Sequence, residues 1–439
     1  MTGQGLAGIA KIPELKNRIL FTLAMLAVYR IGSHIPVPGV ETAVLAEFFR
    51  NMAGTMLQFF DMFTGSNFSN ATIFALGIMP YISSSIIMQL LTVVIPALEK
   101  LKKEGEQGQK KMTQYTRYGA VVLAAVQGLG ISFWLEALKS PTGQLVVTGP
   151  GWAFRIITII TLAAGTAFIM WLGEQITERG VGNGISLIIF AGIVCDMPTA
   201  LLQTFQLISI GQLNMIAMLA LLFMMISTIG AIVFMESTQR RLTIQYAKRQ
   251  VGRKMMGGSQ SHLPLKFNTS GVIPPIFASS IIMFPATLGS FASQGQAGLL
   301  STIVNMLKPG NMLYEAIYIA LIFTFCYFYT QIIFNPSEVA ENLKKGGGFI
   351  PGIRPGQHTG EYISKILDRL TFTGAIYLSI VCVIPDILIS QLNVPFYFGG
   401  TGLLIVVGVG MDTMSQVEAH LVMRHYEGFV KRGSIRSRR

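Results

Sequence analysis

Ser83, Ser84 and Ser85 stand together in an apolar stretch, and their type could support covalent chemistry. A serine nucleophile needs a base within hydrogen-bond reach, and no histidine lies in a comparable stretch. The five histidines form no HxxxH pattern. Cys195, Cys326 and Cys382 form no CxxC pattern, are odd in number and lie in or beside apolar runs. They indicate neither a metal site nor a disulfide framework. No phosphate-binding P-loop is present, so any energy must come from a partner or from the transported process. The sequence thus predicts no catalytic residues, no cofactor and no metal. Ion-coupled transport is the remaining chemistry, and it usually places an Asp, Glu or Lys well inside a membrane span. The middles of the spans are nearly free of such groups. Arg30 and Glu315 read as side chains that snorkel to an interface. Asp412 is the main exception, and a capping role suits it as well as a functional one. Asp196 and Asp386 are assigned to the short loops opposite the basic face.

The elements that must position these groups follow from composition. Of 439 residues, 51% are hydrophobic and 12% charged, about half the charged share of a soluble domain. Mean hydropathy is +0.55. A soluble fold cannot bury that much apolar surface, so the chain reads as an all-α polytopic membrane protein. Ten crossings are expected at about 19–37, 73–96, 117–137, 153–173, 184–204, 214–235, 272–290, 314–334, 371–390 and 398–420. Each is near the roughly 20 residues that a helix needs to span the hydrocarbon. The first carries Arg30 and His34 and lacks a small-residue cleavage pattern, so it reads as a span and not as a leader. Lys and Arg concentrate in the loops 98–116, 236–271 and 335–370 and in the tail 426–439. That bias places these loops and both termini in the cytoplasm. The net charge of +12 is therefore better explained by topology than by nucleic acid.

The stretch from Gly54 to Pro96 is the least regular. Its first half is short and broken by Asp61 and by Gly65-Ser66-Asn67. Its second half, from about Ile73, is long enough to cross. A segment that enters, stops and restarts is tolerated only where protein buries it or where it lines a wet cavity. The span 73–96, with Pro80, its serines and Gln89, and the span 272–290, with Pro274, Pro275 and Pro285, suit the same surroundings. In the loop 236–271, Thr243-Ile244-Gln245-Tyr246 and the Gly257-Gly258 turn predict a hairpin. In the loop 335–370, Asn335-Pro336-Ser337 predicts a helix over 338–344, stopped by Gly346–Gly348. A turn follows at Ile353-Arg354-Pro355-Gly356, then a second helix over 359–369. Two ordered basic protrusions on one face read as a docking surface for an acidic or nucleic-acid-bearing partner. Five spans precede residue 205 and five follow residue 213, so the halves, if related, are inverted. Ile78 and Ile82 share a helix face. From spacing alone, ordinary lipid or helix contact accounts for them and for Ile189, Ile276 and Ile405.

Five stretches resemble the SecY family of protein-translocation channels. They are NATIFALGIMPYISSSIIMQLLTVVIP over 70–96, WLGEQITERGVGNGISLIIFAG over 171–192, AKRQVGRKMM and SHLPLKFNTSGVIPPIFASSIIMFP within 247–285, FNPSEVAENLKKGGGFIPGIRPG over 334–356, and PFYFGGTGLLIVV over 395–407. They follow the family order, and the resemblance extends over nearly the whole chain. The resemblance implies ten transmembrane helices in two pseudo-symmetric inverted halves of five, 1–204 and 214–425. An external hinge at 205–213 would join them around an hourglass pore. It implies a partner-driven channel of the bacterial cytoplasmic membrane that passes unfolded, signal-bearing polypeptides and releases transmembrane segments into lipid. Ile78, Ile82, Ile189, Ile276 and Ile405 are implied as the constriction. Residues 58–72, around Phe59, Phe60, Asp61 and Asn67, are implied as a plug. The segments 73–96 and 272–290 would form a lateral gate, with Ser84, Ser85, Gln89, Pro275, Ser279 and Ser280 at its seam. Arg253, Lys254 and Arg354 would dock the ribosome or the SecA motor. SecE and SecG, the accessory SecDF and YidC, signal peptides, translocating polypeptides and membrane lipid complete the implied partners. The short segment between the third and fourth spans and the uniformly isoleucine constriction are modest departures from the family. A small-solute secondary transporter of another fold and a scaffold or insertase without a pore are the competing readings.

Overall fold

The computed structural model describes residues 13–50, 61, 64–138, 145–209, 215–246, 249–251, 254–256, 260–292, 311–392 and 400–432. Helices α1 (Pro13–Gly32), α2 (Thr42–Arg50), α3 (Met79–Val94), α4 (Pro96–Lys103), α5 (Glu106–Ala137), α6 (Trp152–Arg179), α7 (Gly184–Ser209) and α8 (Met215–Ser237) come first. Strands β1 (Gln239–Tyr246), β2 (Arg249–Val251), β3 (Lys254–Met256) and β4 (Gln260–Lys266) follow. Then come α9 (Ile273–Ala292), α10 (Met312–Ile333), α11 (Pro336–Lys345), β5 (Gly348–Phe349), α12 (Gln357–Leu392) and α13 (Gly400–Arg432). Six of the described helices are long and apolar enough to cross a bilayer, or seven if α3 and α4 count as one bent span. Gly184–Thr199 and Ile273–Ile282 are shorter apolar stretches. The membrane body is therefore all-α and polytopic.

Element boundaries depart from the apolar runs for local reasons. The second span is expected from residue 73, but 73–78 form turns and α3 begins at Met79. Gly77 sits at φ +55, outside the helical region. Pro80 lies in the first turn, where its missing N–H costs no intrahelical bond. At the other end Pro96 cannot continue the hydrogen-bond ladder, and α3 meets α4 at 102°. α5 starts at Glu106, well before residue 117, directly after Gly105 turns the chain at φ +76. The helix expected over 359–369 is no separate element. It continues into the ninth span as the 36-residue α12, whose interior proline, Pro385, comes only near the far end. The helix α2 is not foreseen by hydropathy. It holds Leu45 fully buried, and its Phe48 and Phe49 pack edge-on against Trp134.

The hairpin read in 236–271 is present as β1 paired antiparallel with β4, from Gln239↔Lys266 to Gln245↔Gln260. β5 joins the other edge of β1 through Gln245↔Phe349 and Tyr246↔Gly348. Strands from the two long basic loops thus share one sheet. Leu242, Leu265, Ile350, Ile363, Ile366, Leu367 and Leu370 give the sheet and the first turns of α12 a common apolar core. Asn335 caps α11 by accepting the Ser337 N–H at 3.2 Å, which satisfies one of the helix's orphan donors. The protrusions are folded structure, separate from the larger apolar cluster that runs through the membrane body.

Candidate functional site

Ile78 precedes α3 directly, Ile82 lies in its first turns, and Ile189, Ile276 and Ile405 come from α7, α9 and α13. All five are buried, between 1% and 9% exposed. All belong to the one apolar cluster of the membrane body. Sequence spacing does not bring them together, because they are contributed by four helices far apart in the chain.

The segment just before α3 is held by polar bonds. Asp61 is buried, and its Oδ1 accepts the Phe68 and Ser69 N–H groups at 3.0 and 2.9 Å. Burial pushes its carboxyl above the usual range, and those backbone donors oppose the shift. Asn67 is fully buried and donates to Tyr29 Oη at 3.0 Å. The Tyr29 hydroxyl in turn donates to the Thr64 carbonyl at 3.2 Å. Val37 and Ile73 N–H groups bond the Ala71 and Ile35 carbonyls at 2.8 and 2.9 Å, which ties the segment to the chain after α1. On its other side Ser66 Oγ donates to Asp196 Oδ2 at 2.9 Å. A Cβ on Gly65 would come within 2.7 Å of Gly192 Cα. Tyr29 and Gly192 carry no signal in the sequence pattern. The acid of Asp196 inside an apolar run is a signal, but its assignment to a loop is corrected: it lies within α7. Phe59 and Phe60 lie outside the described residues.

α9 packs against both α3 and α5. Ser84 turns toward α5, where its hydroxyl donates to the Thr116 carbonyl at 2.8 Å. Gly119 makes room, since a Cβ there would collide with Ser84 Oγ. Gln89 donates to Ser85 Oγ at 3.4 Å. Ser279 and Ser280 both donate back to the Ile276 carbonyl at 2.9 and 2.7 Å, and Pro275 is buried in the first turn of α9. The amide oxygens of Gln89 and of Gln127 on α5 are buried without a hydrogen-bond partner. Gln127 is a polar group that the sequence reading does not single out.

Two acidic groups correct the sequence reading. Glu315 and Asp386 are each only 6% exposed. Glu315 lies in the first turn of α10, beside the stacked rings of Tyr314 and Tyr318, and does not snorkel. Asp386 is no loop residue, because α12 continues past it to Leu392. Asp412 is exposed, with Lys266 Nζ at 4.0 Å. Among the described residues no group of His, Cys, Asp and Glu could hold a metal ion, and the three cysteines are free.

On the basic protrusions, Arg354 is exposed in the turn before α12, where its carbonyl accepts the Thr359 hydroxyl at 2.9 Å. Lys254 begins β3 and pairs with Val251. Arg253 lies outside the described residues. A groove of about 1240 Å³ runs between α11 and the start of α12, with Glu338, Glu341, Lys344, Lys345, Glu361 and Lys365 along it.

Residues 72–414 match the family model described as SecY. The protein translocase subunit SecY of Escherichia coli (strain K12) is 50% identical over 424 residues, covering 96% of this chain and 95% of that one. The SecY subunit of Aquifex aeolicus (strain VF5) is 45% identical over 428 residues, covering 97% and 99%. Among solved structures, one reported as a protein conducting channel aligns with a TM-score of 0.67 at 19% identity, over 94% of this chain and 96% of the other. Sec61 in the canine ribosome-channel complex from the endoplasmic reticulum aligns with a TM-score of 0.64 at 18% identity, with the same coverages.

Proposed function

The chain belongs to the SecY family and is a protein-conducting channel, not an enzyme, and from that premise we propose how its parts divide the work. The observation that carries the proposal is the burial of Ile78, Ile82, Ile189, Ile276 and Ile405, from four helices, in one apolar cluster. They form the constriction. A ring of apolar side chains seals by dewetting and can widen around an extended polypeptide without breaking polar bonds. Residues 58–72 are the plug, with Asp61 and Asn67 in its fixed base. α3 and α9 are the walls of a lateral gate, resting in contact here. Ser85, Gln89, Pro275, Ser279 and Ser280 supply a seam that leucine packing alone does not weld, and Ser84 anchors the α3 wall to α5.

The full set of ten spans forms two inverted halves, 1–204 and 214–425, hinged at 205–213, with both termini in the cytoplasm of a bacterial inner membrane. The two basic loops, joined through the sheet of β4, β1 and β5, offer Arg253, Lys254 and Arg354 to a ribosome or the SecA motor. SecE and SecG are the membrane partners, with SecDF and YidC as accessories.

The test is reconstitution of the chain with its small membrane partners in proteoliposomes, with the motor, ATP and a signal-bearing preprotein. The preprotein becomes protease-protected only when motor and ATP are both present. Protection that does not depend on the chain, or flux of a small solute in its place, refutes the assignment.

A further inference from the structure

The plug segment touches two neighbours of different kinds. Toward α1 and the chain after it, the segment is tied through Tyr29, through Arg30, whose guanidinium donates to the Gly65 carbonyl at 3.5 Å, and through backbone bonds; toward α7 it is tied through a single side-chain bond among the described residues, Ser66 Oγ to Asp196 Oδ2 at 2.9 Å. On the α7 side the backbones of Gly65 and Gly192 also pack so closely that a Cβ on Gly65 has no room. Ser66 holds φ +61, a left-handed conformation that costs an L side chain free energy and persists where surrounding contacts enforce it. Asp196 is half-buried, so its carboxylate is a strong acceptor that water only partly competes for. Gly192 and Asp196 lie on α7, three and seven residues after Ile189, on one face of the helix.

We propose that Asp196 couples the plug to the constriction: its carboxylate holds Ser66 against the Gly65–Gly192 contact, so α7 cannot carry Ile189 outward without loosening the plug base. This rests on reading 58–72 as the plug and Ile189 as a constriction residue. Asp196 is a positioning residue on this account. It acts through Ser66. Its loss frees the plug at rest, while fold and motor docking are retained.

The experiment measures resting ion efflux from proteoliposomes for Asp196→Ala, Ser66→Ala, the double variant, Asp196→Asn and a deletion of 58–72. Loss of one charge-assisted hydrogen bond corresponds to a shift of about tenfold to a hundredfold in the closed-to-open ratio. Asp196→Ala and Ser66→Ala should each raise efflux by about that factor. The double variant should leak no more than either, because both remove the same bond. Asp196→Asn keeps an acceptor oxygen and should leak least of the four substitutions. Wild-type efflux in Asp196→Ala beside a leaking deletion overturns the coupling and leaves the plug reading standing. Effects that multiply in the double variant overturn it as well. A deletion that does not leak overturns both. Should the substitutions fail to fold, a Ser66→Cys/Asp196→Cys pair in a Cys195→Ser background decides. Bridging the pair with a short cleavable crosslinker should stop polypeptide transport until the link is cut, and undiminished transport through the bridged channel overturns the proposal.

Discussion

Ile405→Asn is the sharpest perturbation of the proposed seal. Ile405 is 1% exposed on α13, so in the closed state its side chain contributes about 1.5–3 kcal/mol of burial. Asparagine forfeits that and places an amide inside the apolar cluster of the membrane body, at a further cost of about 1–3 kcal/mol if left unpaired. Water entering the constriction satisfies the amide at once. The wetted state therefore gains about 2.5–6 kcal/mol relative to the dry one, and with tenfold per 1.4 kcal/mol its population rises by roughly two to four orders of magnitude. The assay is single-channel current in planar bilayers, together with thermal unfolding in detergent. Ile405→Val should stay tight. Leu378→Asn is the control: Leu378 is equally buried, on α12, and the same substitution there should lower stability without opening a conducting path. A folded Ile405→Asn channel with wild-type current refutes the seal. So does a Leu378→Asn channel that leaks as much, because leak would then track destabilisation and not the pore.

Three further outcomes are expected. Gly119→Ala drives its new methyl into Ser84 Oγ and breaks the bond to the Thr116 carbonyl. It should cost about 1–3 kcal/mol in thermal unfolding, and Ser84→Ala in the same chain should restore most of that loss. Glu136 takes two bonds from Arg155, at 3.0 and 2.6 Å, and one from the Gly151 N–H at 2.8 Å, with both side chains largely shielded. Glu136→Ala should therefore destabilise by about 1–3 kcal/mol, moderated because Arg155 still lies over the Phe133 and Trp152 rings. Arg354→Glu should weaken motor or ribosome binding by about tenfold or more at low salt and by less at high salt. Sedimentation binding at two ionic strengths measures this, and resting ion leak should not change.

Much of this architecture is legible in the chain itself, because short-range physics encodes it. Hydropathy marks the membrane body, and Lys/Arg bias marks the loops. Asn335 and Gly346 bracket α11, and the β-rich run at Thr243–Tyr246 announces β1. The longer motifs identify the family, and the resemblance supplies the expectation that the isoleucines line a constriction and that 58–72 is a plug. Other features depend on partners that no local window contains. Ser84 lies in a serine cluster like its neighbours, and only the placement of Thr116 and Gly119 directs it to α5. Asp386 looks like a loop residue until α12 runs past it. Glu315 lies at a helix start where snorkelling is open to it, yet packing buries it. Ser66 and Asp196 are 130 residues apart and meet because Gly65 and Gly192 let two backbones approach. Propensity, capping and hydropathy act over a few residues, so sequence determines which segments are apolar enough to enter a membrane and where the basic loops fall between them. Which side chains then meet is decided by how those helices pack, through contacts that exist only once distant segments share one core.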